Sequence, residues 1–549
     1  MNKNKATLAI YGIQDRIDSD YPLYVHDHSI CLMRNGRIEK MLQLERKTRV
    51  KRDNKLYLHI YDLLKEQKLI STDDYDVVFV DNVVGRSFIN KQGNIRFEAP
   101  LVYTVSDTVE KGRCWWFDKE IDAYALNHEL AHISSCLPFY NNFKENSLVV
   151  HFDGGASLSN FSSWLYKDNK LQLIDFNWDF KYLSSLYNAN ALVFGIIGAK
   201  RFDQNSVPGK MMGMASFGKY SLEIEKWLKE NNYFEDCWKS KTVFYEKARE
   251  SFGWKNNKLD QKDPFLHDLL ATMQFVFQRD FYTKIEELQN KYNADYLYYS
   301  GGSALNIVTN NKLVESALFK QVYIPPCAED SGLALGAAAY VEYLKHGKVE
   351  HHSPYLNNWG IEDYKSDFSS DDISVIASEL MAGKILAVCN DFGEIGPRAL
   401  GNRSIISLAN SKELADKVSI KKKGREWYRP IAPIMLERNL EYFTGIKDSL
   451  LATYMLRDFE VLADKCKEIE GVVHVNGTSR IQTVSNEKDN PFIYTLLDYL
   501  EKNYGIKALI NTSFNKRGEP IVHTEDDAIA SAMNMQLDGV ILNGKLKFI

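Results

Sequence analysis

The stretch A-D-Y-L-Y-Y-S-G-G-S-A-L-N, residues 294–306, decides the fold class. Its apolar half, Ala294 to Tyr299, reads as a buried strand, and Ser300-Gly301-Gly302-Ser303 ends it in a glycine turn. Upstream, Asp263 to Tyr292 carries apolar residues at helical spacing; downstream, the Cys327-Ala-Glu-Asp-Ser-Gly loop leads into a second helical run, Leu333 to Leu344. A strand set between helices and closed by a turn that bares backbone N–H groups is an α/β unit suited to an anionic ligand. The same unit recurs at Ser147 to Phe152, which runs into Asp153-Gly154-Gly155.

Toward the amino terminus, Thr7 to Gly12, Ser29 to Met33 and Ile38 to Leu44 read as strands, with the Asn35-Gly36 hairpin signal between the last two. Helical patterning covers Lys55 to Gln67 and the region Ile121 to Cys136, and Asp76 to Val80 reads as a buried strand. Toward the carboxyl terminus the composition turns polar, and residues 351–370 read as a linker. Beyond it a helix at Asp372 to Met381 and a strand at Lys384 to Cys389 restart the alternation. The expectation is an α/β domain at 1–350 and a second α/β domain at 371–549, without internal repeats.

A chain of 549 residues is too long for one core, and 45% hydrophobic with 26% charged residues is ordinary globular material. A net charge of −5 excludes a uniformly basic nucleic-acid coat. Seven scattered cysteines (31, 114, 136, 237, 327, 389 and 466), with no Cys-x-x-Cys pair, describe reduced thiols rather than a disulfide framework or zinc ribbon. The first residues lack the apolar core of a signal peptide, and no run approaches ~18 apolar residues. A soluble, cytoplasmic protein with no membrane segment is expected.

Three strings in the last third carry the chemistry. Gly396 to Ser404, G-P-R-A-L-G-N-R-S, is followed by Lys423, Arg425 and Y-R-P-I-A-P at 428–433; H-V-N-G-T-S-R-I-Q-T-V occupies 474–484; N-T-S-F-N-K-R-G-E-P-I-V occupies 511–522. Arginine forks bind phosphate or carboxylate in the plane, and glycine lets the anion approach the backbone. The apolar run Ala508 to Ile510 places Asn511, Thr512 and Ser513 where a strand ends, the side on which open α/β sheets bind ligands. Together the strings describe one phosphate-handling pocket.

His128 and His132 stand four apart in N-H-E-L-A-H, so on a helix both imidazoles share a face and suit one metal ion. H-E-x-x-H is also the zincin motif, with Glu129 as general base. The continuation I-S-S-C-L-P lacks the third histidine of the extended motif, and Glu145, the remaining candidate ligand, lies in a polar loop. A zinc peptidase would leave the glycine turns and arginine strings unexplained.

These strings resemble the O-carbamoyltransferases of the nodulation protein U and tobramycin carbamoyltransferase type, nearly end to end. The resemblance includes H-D-H-S-I-C-L at 26–32, E-R-K-T-R-V-K at 45–51, H-E-L-A-H-I-S-S at 128–135, G-K-M-M-G-M-A-S-F-G at 209–218, G-G-S-A-L-N at 301–306 and E-D-S-G-L-A-L-G-A-A at 329–338. It implies an N-terminal TsaD-like domain of the actin-like ATPase (ASKHA) superfamily and a C-terminal YrdC-like α/β domain. It implies that ATP, with Mg²⁺, and carbamoyl phosphate give carbamoyl-adenylate, whose carbamoyl group passes to an acceptor hydroxyl. By motif, Arg398, Lys423, Arg429 and Arg480 clamp carbamoyl phosphate and nucleotide phosphates, and Ser513 bonds their oxygens. His128, His132 and Asp330 bind a divalent metal, Fe²⁺ by analogy. Asp153, Gly154, Lys210, Gly301, Gly302 and Asn306 cradle the adenylate, and Asp27 or His26 is the base for the acceptor.

The chain departs from the family pattern in three places. The usual His-His pair is His128-Glu129, the acidic residue of D-G-x-G-E becomes Ala156 or Ser157, and Asn476 replaces a frequent aspartate. The acceptor is open between a sugar or other small molecule and a hydroxymethylated nucleobase in DNA, for which the basic run Arg46 to Lys55 and the aromatics at 115–117 are the candidate surface. A monomer or homodimer is expected. The rival readings are the zinc metallopeptidase and an ATP-binding scaffold without catalysis.

Overall fold

The computed structural model describes residues 1–13, 25–71, 73–117, 119–183, 206–234, 241–254, 260–361 and 365–549. Among these residues three large sheets organise a mixed α/β molecule. The first has eight strands in the order Arg37–Gln43, Ser29–Arg34, Ala6–Tyr11, Tyr75–Val80, Lys119–Leu126, Glu110–Trp116, Ile95–Glu98 and Ser87–Ile89. The second has five, in the order Lys170–Asn177, Phe161–Lys167, Ser147–Phe152, Tyr296–Ser300 and Gln321–Tyr323. In each, an antiparallel meander precedes parallel strands, so the first five strands of one sheet repeat the order and sense of the other. The duplication is invisible in the sequence because it repeats burial and strand direction, not residues.

The helices that join the two sheets pack at very close range. A Cβ on Gly336, in the helix Leu333–His346, would lie 1.9 Å from the carbonyl oxygen of Ala131 in the helix His128–Ser134. Only a residue without a side chain lets these helices cross there. At Gly301, φ is +101° and a Cβ would meet the Phe152 carbonyl oxygen at 2.2 Å, so glycine also brings the ends of two neighbouring strands together.

The third sheet has seven strands, in the order Gln482–Val484, Ala432–Leu436, Ala508–Ser513, Arg403–Leu408, Leu386–Cys389, Gly539–Leu542 and Lys545–Phe548. Apolar clusters fill both its faces, one around Ile405, Met435 and Ile510, the other around Ile406, Ile434 and Leu509. Alternate residues of the same strands feed opposite clusters, as the two-residue period requires.

One expectation fails here. Ile121 to Leu126 is strand, not helix: it pairs with Val77–Val80 on one side and Glu110–Trp116 on the other. The helix begins only at His128. Short apolar runs fit either period, and pairing partners on both sides decide for the strand. Within the expected linker, residues 351–361 lie against both halves of the molecule, while 362–364 lie outside the described residues. Tyr355–Asn357 pairs with Gly393–Glu394, Asn357 accepts from the Gln43 N–H at 3.1 Å, and Trp359 is fully buried against the first sheet. Its polar composition reflects side chains that bond to both halves.

Six cysteines are free thiols, and Cys237 lies outside the described residues. No described helix is long and apolar enough to cross a membrane.

Candidate active site

Asp81, just after the strand Tyr75–Val80, anchors the start of the histidine helix. It accepts from the His128 N–H at 2.8 Å and the Asn127 side chain at 3.2 Å, and pairs with Arg86 Nε at 2.9 Å. Burial, then the nearby Glu129, push its carboxyl up to about 7. One turn apart, His128 and His132 bring their Nε2 atoms to 3.1 Å. Asp330, from the turn after Gln321–Tyr323, places Oδ1 at 3.7 Å from His128 Nε2 and 3.5 Å from His132 Nε2. All three side chains are buried, and their donor atoms lie within 4.8 Å of one another. His128 Nδ1 faces the Asp81 carbonyl oxygen at 3.3 Å, which holds a proton on Nδ1 and leaves the Nε2 lone pair pointing at the cluster. Two imidazoles and a carboxylate so converged fit a divalent ion.

The surroundings of this cluster are acidic. The Tyr11 hydroxyl donates to Asp330 Oδ2 at 2.9 Å, His26 Nδ1 pairs with Asp27 Oδ2 at 2.9 Å, and Asp153 Oδ2 stands 3.7 Å from His132 Nε2. Burial opposes a charge on His26, yet Asp330 and Asp27 outweigh it and raise that histidine to about 9. Asp330 likewise holds His128 at about 8 against burial. Asp153 also bridges the glycine turns, accepting from the Gly154 and Gly302 N–H groups at 2.5 Å each. Asn306 caps the helix Ile307–Glu315 through Thr309 at 3.1 Å and exchanges two 3.1 Å bonds with Gln274, so both ends of its amide are engaged.

Glu129 points elsewhere. It is fully buried and accepts from Ser157 Oγ at 2.5 Å, Leu158 N–H at 2.7 Å and Ser159 N–H at 2.9 Å. A carboxylate saturated by the loop after Asp153 is no base for a water at the histidines, and Glu145 binds the Asp168 N–H at 2.7 Å. The peptidase reading is not favoured. Two departures from the family pattern, Glu129 and Ser157, thus prove to be one contact.

The three C-terminal strings converge on the third sheet. Asn511 donates to the Ala399 carbonyl at 3.1 Å and to Gln482 at 2.5 Å, while Gln482 donates to the Leu400 carbonyl at 2.7 Å. Asn511 to Ser513 lie within the strand Ala508–Ser513 rather than beyond it. Around this tie stand Arg398, Lys423, Arg425, Arg429 and Arg480. Burial, then Arg429, lower Arg398 to about 10; burial, then Arg398, Arg425 and Arg429, push Arg480 well below its usual range. The Nε–H groups of Arg398 and Arg480 are buried without a hydrogen-bond partner. Lys423 Nζ donates to the Ser513 carbonyl and to Asn515 Oδ1, the latter at 2.9 Å, and Ser513 Oγ donates to the same Asn515 oxygen at 2.7 Å. Cations that depress one another in a buried pocket await an anion.

Lys210 pairs with Glu426 at 3.0 Å, as does Arg517 at 3.0 Å, with Arg429 at 3.5 Å from the same carboxylate. The pockets adjoin. Glu329, beside the metal-type ligand Asp330, is pushed up to about 8 by burial and then by Asp27, and its charge also acts on Arg398. The segment 45–51 spans the seam, with Arg46 donating to the Gly396 carbonyl at 3.0 Å and Arg49 to the Ile521 carbonyl at 2.7 Å.

Sequence reasoning passed over Asp81, Tyr11, Glu329, Glu426 and Asn515. Asn515 was within reach, since it lies inside the string 511–522, two residues after Ser513. Asp81 and Glu426 carry no local signal, because only the fold brings His128 to one and Lys210 to the other.

The carbamoyltransferase N-terminus family matches residues 86–339, and the carbamoyltransferase C-terminus family matches residues 377–547. The nodulation protein NolO of Bradyrhizobium diazoefficiens is 30% identical over 454 residues, 76% of this chain and 78% of that protein. An uncharacterized protein of Methanocaldococcus jannaschii is 30% identical over 448 residues, 76% of this chain and 82% of that protein. Among solved structures, HypF of T. kodakarensis overlaps 63% of this chain and 48% of its own, at 12% identity and a TM-score of 0.34, too low an overlap to argue from. The chain belongs to the carbamoyltransferase family and is a transferase of carbamoyl groups.

Proposed function

We propose that the protein is an ATP-dependent O-carbamoyltransferase that forms carbamoyl-adenylate at the arginine cluster and uses it at the histidine pocket. In this reading residues 371–549 form a YrdC-like unit, residues 1–350 a TsaD-like unit, and residues 351–370 join them. The observation that carries it is the arginine cluster, with the unpartnered, buried Nε–H groups of Arg398 and Arg480.

Water cleaves carbamoyl phosphate to carbamate and phosphate. A carbamate oxygen then attacks the α-phosphorus of Mg²⁺·ATP, forming the carbamoyl-adenylate bond as the α–β bridge breaks and pyrophosphate leaves. Arg398, Arg425, Arg429 and Arg480 offset repulsion among these anions and stabilise charge developing at phosphorus. Lys423, Ser513 and Asn515 form a bonded unit that sets the carbamate end of the pocket. At the second pocket the acceptor oxygen attacks the carbamoyl carbon, AMP leaves, and the hydroxyl proton passes to the Asp27 carboxylate, which the already protonated His26 holds in place. Asp153 and the Gly154, Gly301 and Gly302 turns hold the adenylate there. A divalent ion on His128, His132 and Asp330, iron by family analogy, would polarise the carbamoyl carbonyl as a Lewis acid. Adjoining pockets keep the adenylate from water during transfer.

A small hydroxylated acceptor is favoured over a nucleobase in DNA. Arg46 and Arg49 spend donors on backbone carbonyls, Lys47 and Lys51 pair with Glu66 and Glu45, and Trp116 is 2% exposed, which takes several of these groups away from a polymer.

The test is exchange of labelled pyrophosphate into ATP by the purified protein. Exchange that requires carbamoyl phosphate is the expected result. Absence of exchange with both substrates and Mg²⁺ present overturns the first half-reaction and returns the scaffold reading.

A further inference from the structure

Glu129 stands on the helix of the two histidines yet takes no part in the proposed chemistry. Following His128 by one residue, it points about 100° round the helix from that imidazole, toward the loop that leaves the strand Ser147–Phe152. The side chain is fully buried, and four bonds end on it. Oε1 accepts from the Leu158 N–H at 2.7 Å, the Ser159 N–H at 2.9 Å and Ser159 Oγ at 3.2 Å, and Oε2 accepts from Ser157 Oγ at 2.5 Å. An ionised carboxylate, an acceptor at both oxygens, satisfies so many converging donors. Its removal would strand donors on three successive residues.

The loop so held begins at Asp153. Its base is closed by the Asp153 N–H on the Asn160 carbonyl at 2.9 Å, and a turn within it by the Ala156 N–H on the Ser159 carbonyl at 3.0 Å. Glu129 therefore grips the far side of a short closed loop whose near side carries Asp153. That carboxylate receives the Gly154 and Gly302 N–H groups and stands 3.7 Å from His132 Nε2, so its charge favours a cation at the histidines. Helix and loop thus meet at two places, and the attachment away from Asp153 stops the loop from turning about its base.

We infer that Glu129 is a positioning residue: it holds Asp153 against His132 and the glycine turns, and acts on a bound ion through Asp153 rather than by touching it. The inference rests on the reading of His128, His132 and Asp330 as a divalent-ion site. Because the charge of Glu129 also acts on His128 and Asp81, its test has to separate the tether from the charge.

The experiment is a double-mutant cycle in which Mn²⁺ is titrated by calorimetry into wild type, Glu129→Ala, Asp153→Asn and the double variant. Glu129→Ala is expected to weaken Mn²⁺ binding about tenfold or more, as loss of a group that orients an ion site does. The double variant should bind no more weakly than Asp153→Asn, since a residue that acts through Asp153 then has nothing left to position. Glu129→Gln keeps an oxygen for Leu158 and Ser159 while removing the charge, and should recover most of the affinity. Unaltered affinity in Glu129→Ala, or losses that add in the double variant, overturns the inference. Should Glu129→Ala fail to fold, Ser157→Ala removes the Oε2 tie alone and runs the same cycle with a smaller expected loss. Pyrophosphate exchange reads the arginine pocket separately: its absence in wild type counts against the proposed function and leaves the cycle to decide the inference. A wild type that binds no Mn²⁺ removes the site Glu129 would serve, and overturns the inference as well.

Discussion

The histidine pocket and the arginine pocket share a wall but carry opposite unbalanced charge. Around His128 and His132 gather Asp27, Asp153 and Asp330, and the carboxylates win against burial in holding His26 at about 9. Around Arg398 gather Lys423, Arg425, Arg429 and Arg480, with Glu426 already engaged by Lys210 and Arg517. Uncompensated buried charge is costly, and a fold retains it where a ligand of the other sign completes the site. One pocket is therefore suited to a cation and the other to an anion. Glu329, beside Asp330, also acts on Arg398, so the charge of one pocket reaches the other at the seam.

The largest expected effect separates the two. Arg480→Ala should lower carbamoyl-phosphate-dependent pyrophosphate exchange by about 10²–10³, the cost of one donor aimed at developing charge, while divalent-ion affinity measured by calorimetry stays at the wild-type value. A parallel fall in ion affinity would mean that the pockets are one site. The converse variant, His128→Ala, should retain exchange and lose carbamoyl transfer by roughly two orders of magnitude or more, together with the ion. Loss of exchange in this variant would break the division of labour.

A smaller effect tests how the histidine pocket is held. Asp81→Asn removes the charge that anchors the His128 N–H and should weaken ion binding about 10–100-fold in a chelator competition, with exchange intact. The smallest concerns the segment that both halves clasp. His523 donates to the Trp359 carbonyl at 2.8 Å, and burial, aided by Arg403 and Arg46, pushes it down to about 4. The folded state thus binds this proton less readily than the unfolded chain, whose histidine titrates near 6.5. Stability should be unaffected by this group above about pH 6.5 and fall below it, by about 1 kcal/mol at pH 5.5. His523→Gln should flatten that part of the thermal-denaturation profile; an unchanged profile would show that the histidine is not the source.

Much of this was legible locally. The helix of His128 and His132, the strand before Gly301, the strand before Asp153 and the clustering of three basic strings all follow from spacing and turn chemistry within about ten residues. What escaped shares one cause. Ile121 to Leu126 satisfies either period, and its place between two strands made it a strand. Glu129 sits in a metalloprotease motif, and a loop some thirty residues away took its carboxylate. Lys210 follows the N-terminal motifs in the chain, yet its partner is Glu426.

Residue type and short-range order therefore settled the chemistry on offer: imidazoles on one helical face, glycine turns after strands, guanidinium forks among small residues. Tertiary structure alone decided which carboxylate meets which base, that two sheets repeat one strand order, and that the acidic and basic pockets adjoin. The physical reason is range. Backbone preference and side-chain periodicity act over a turn or a strand, whereas ion pairing and close helix crossing, as at Gly336 against Ala131, depend on distances that exist only after residues far apart in sequence have packed.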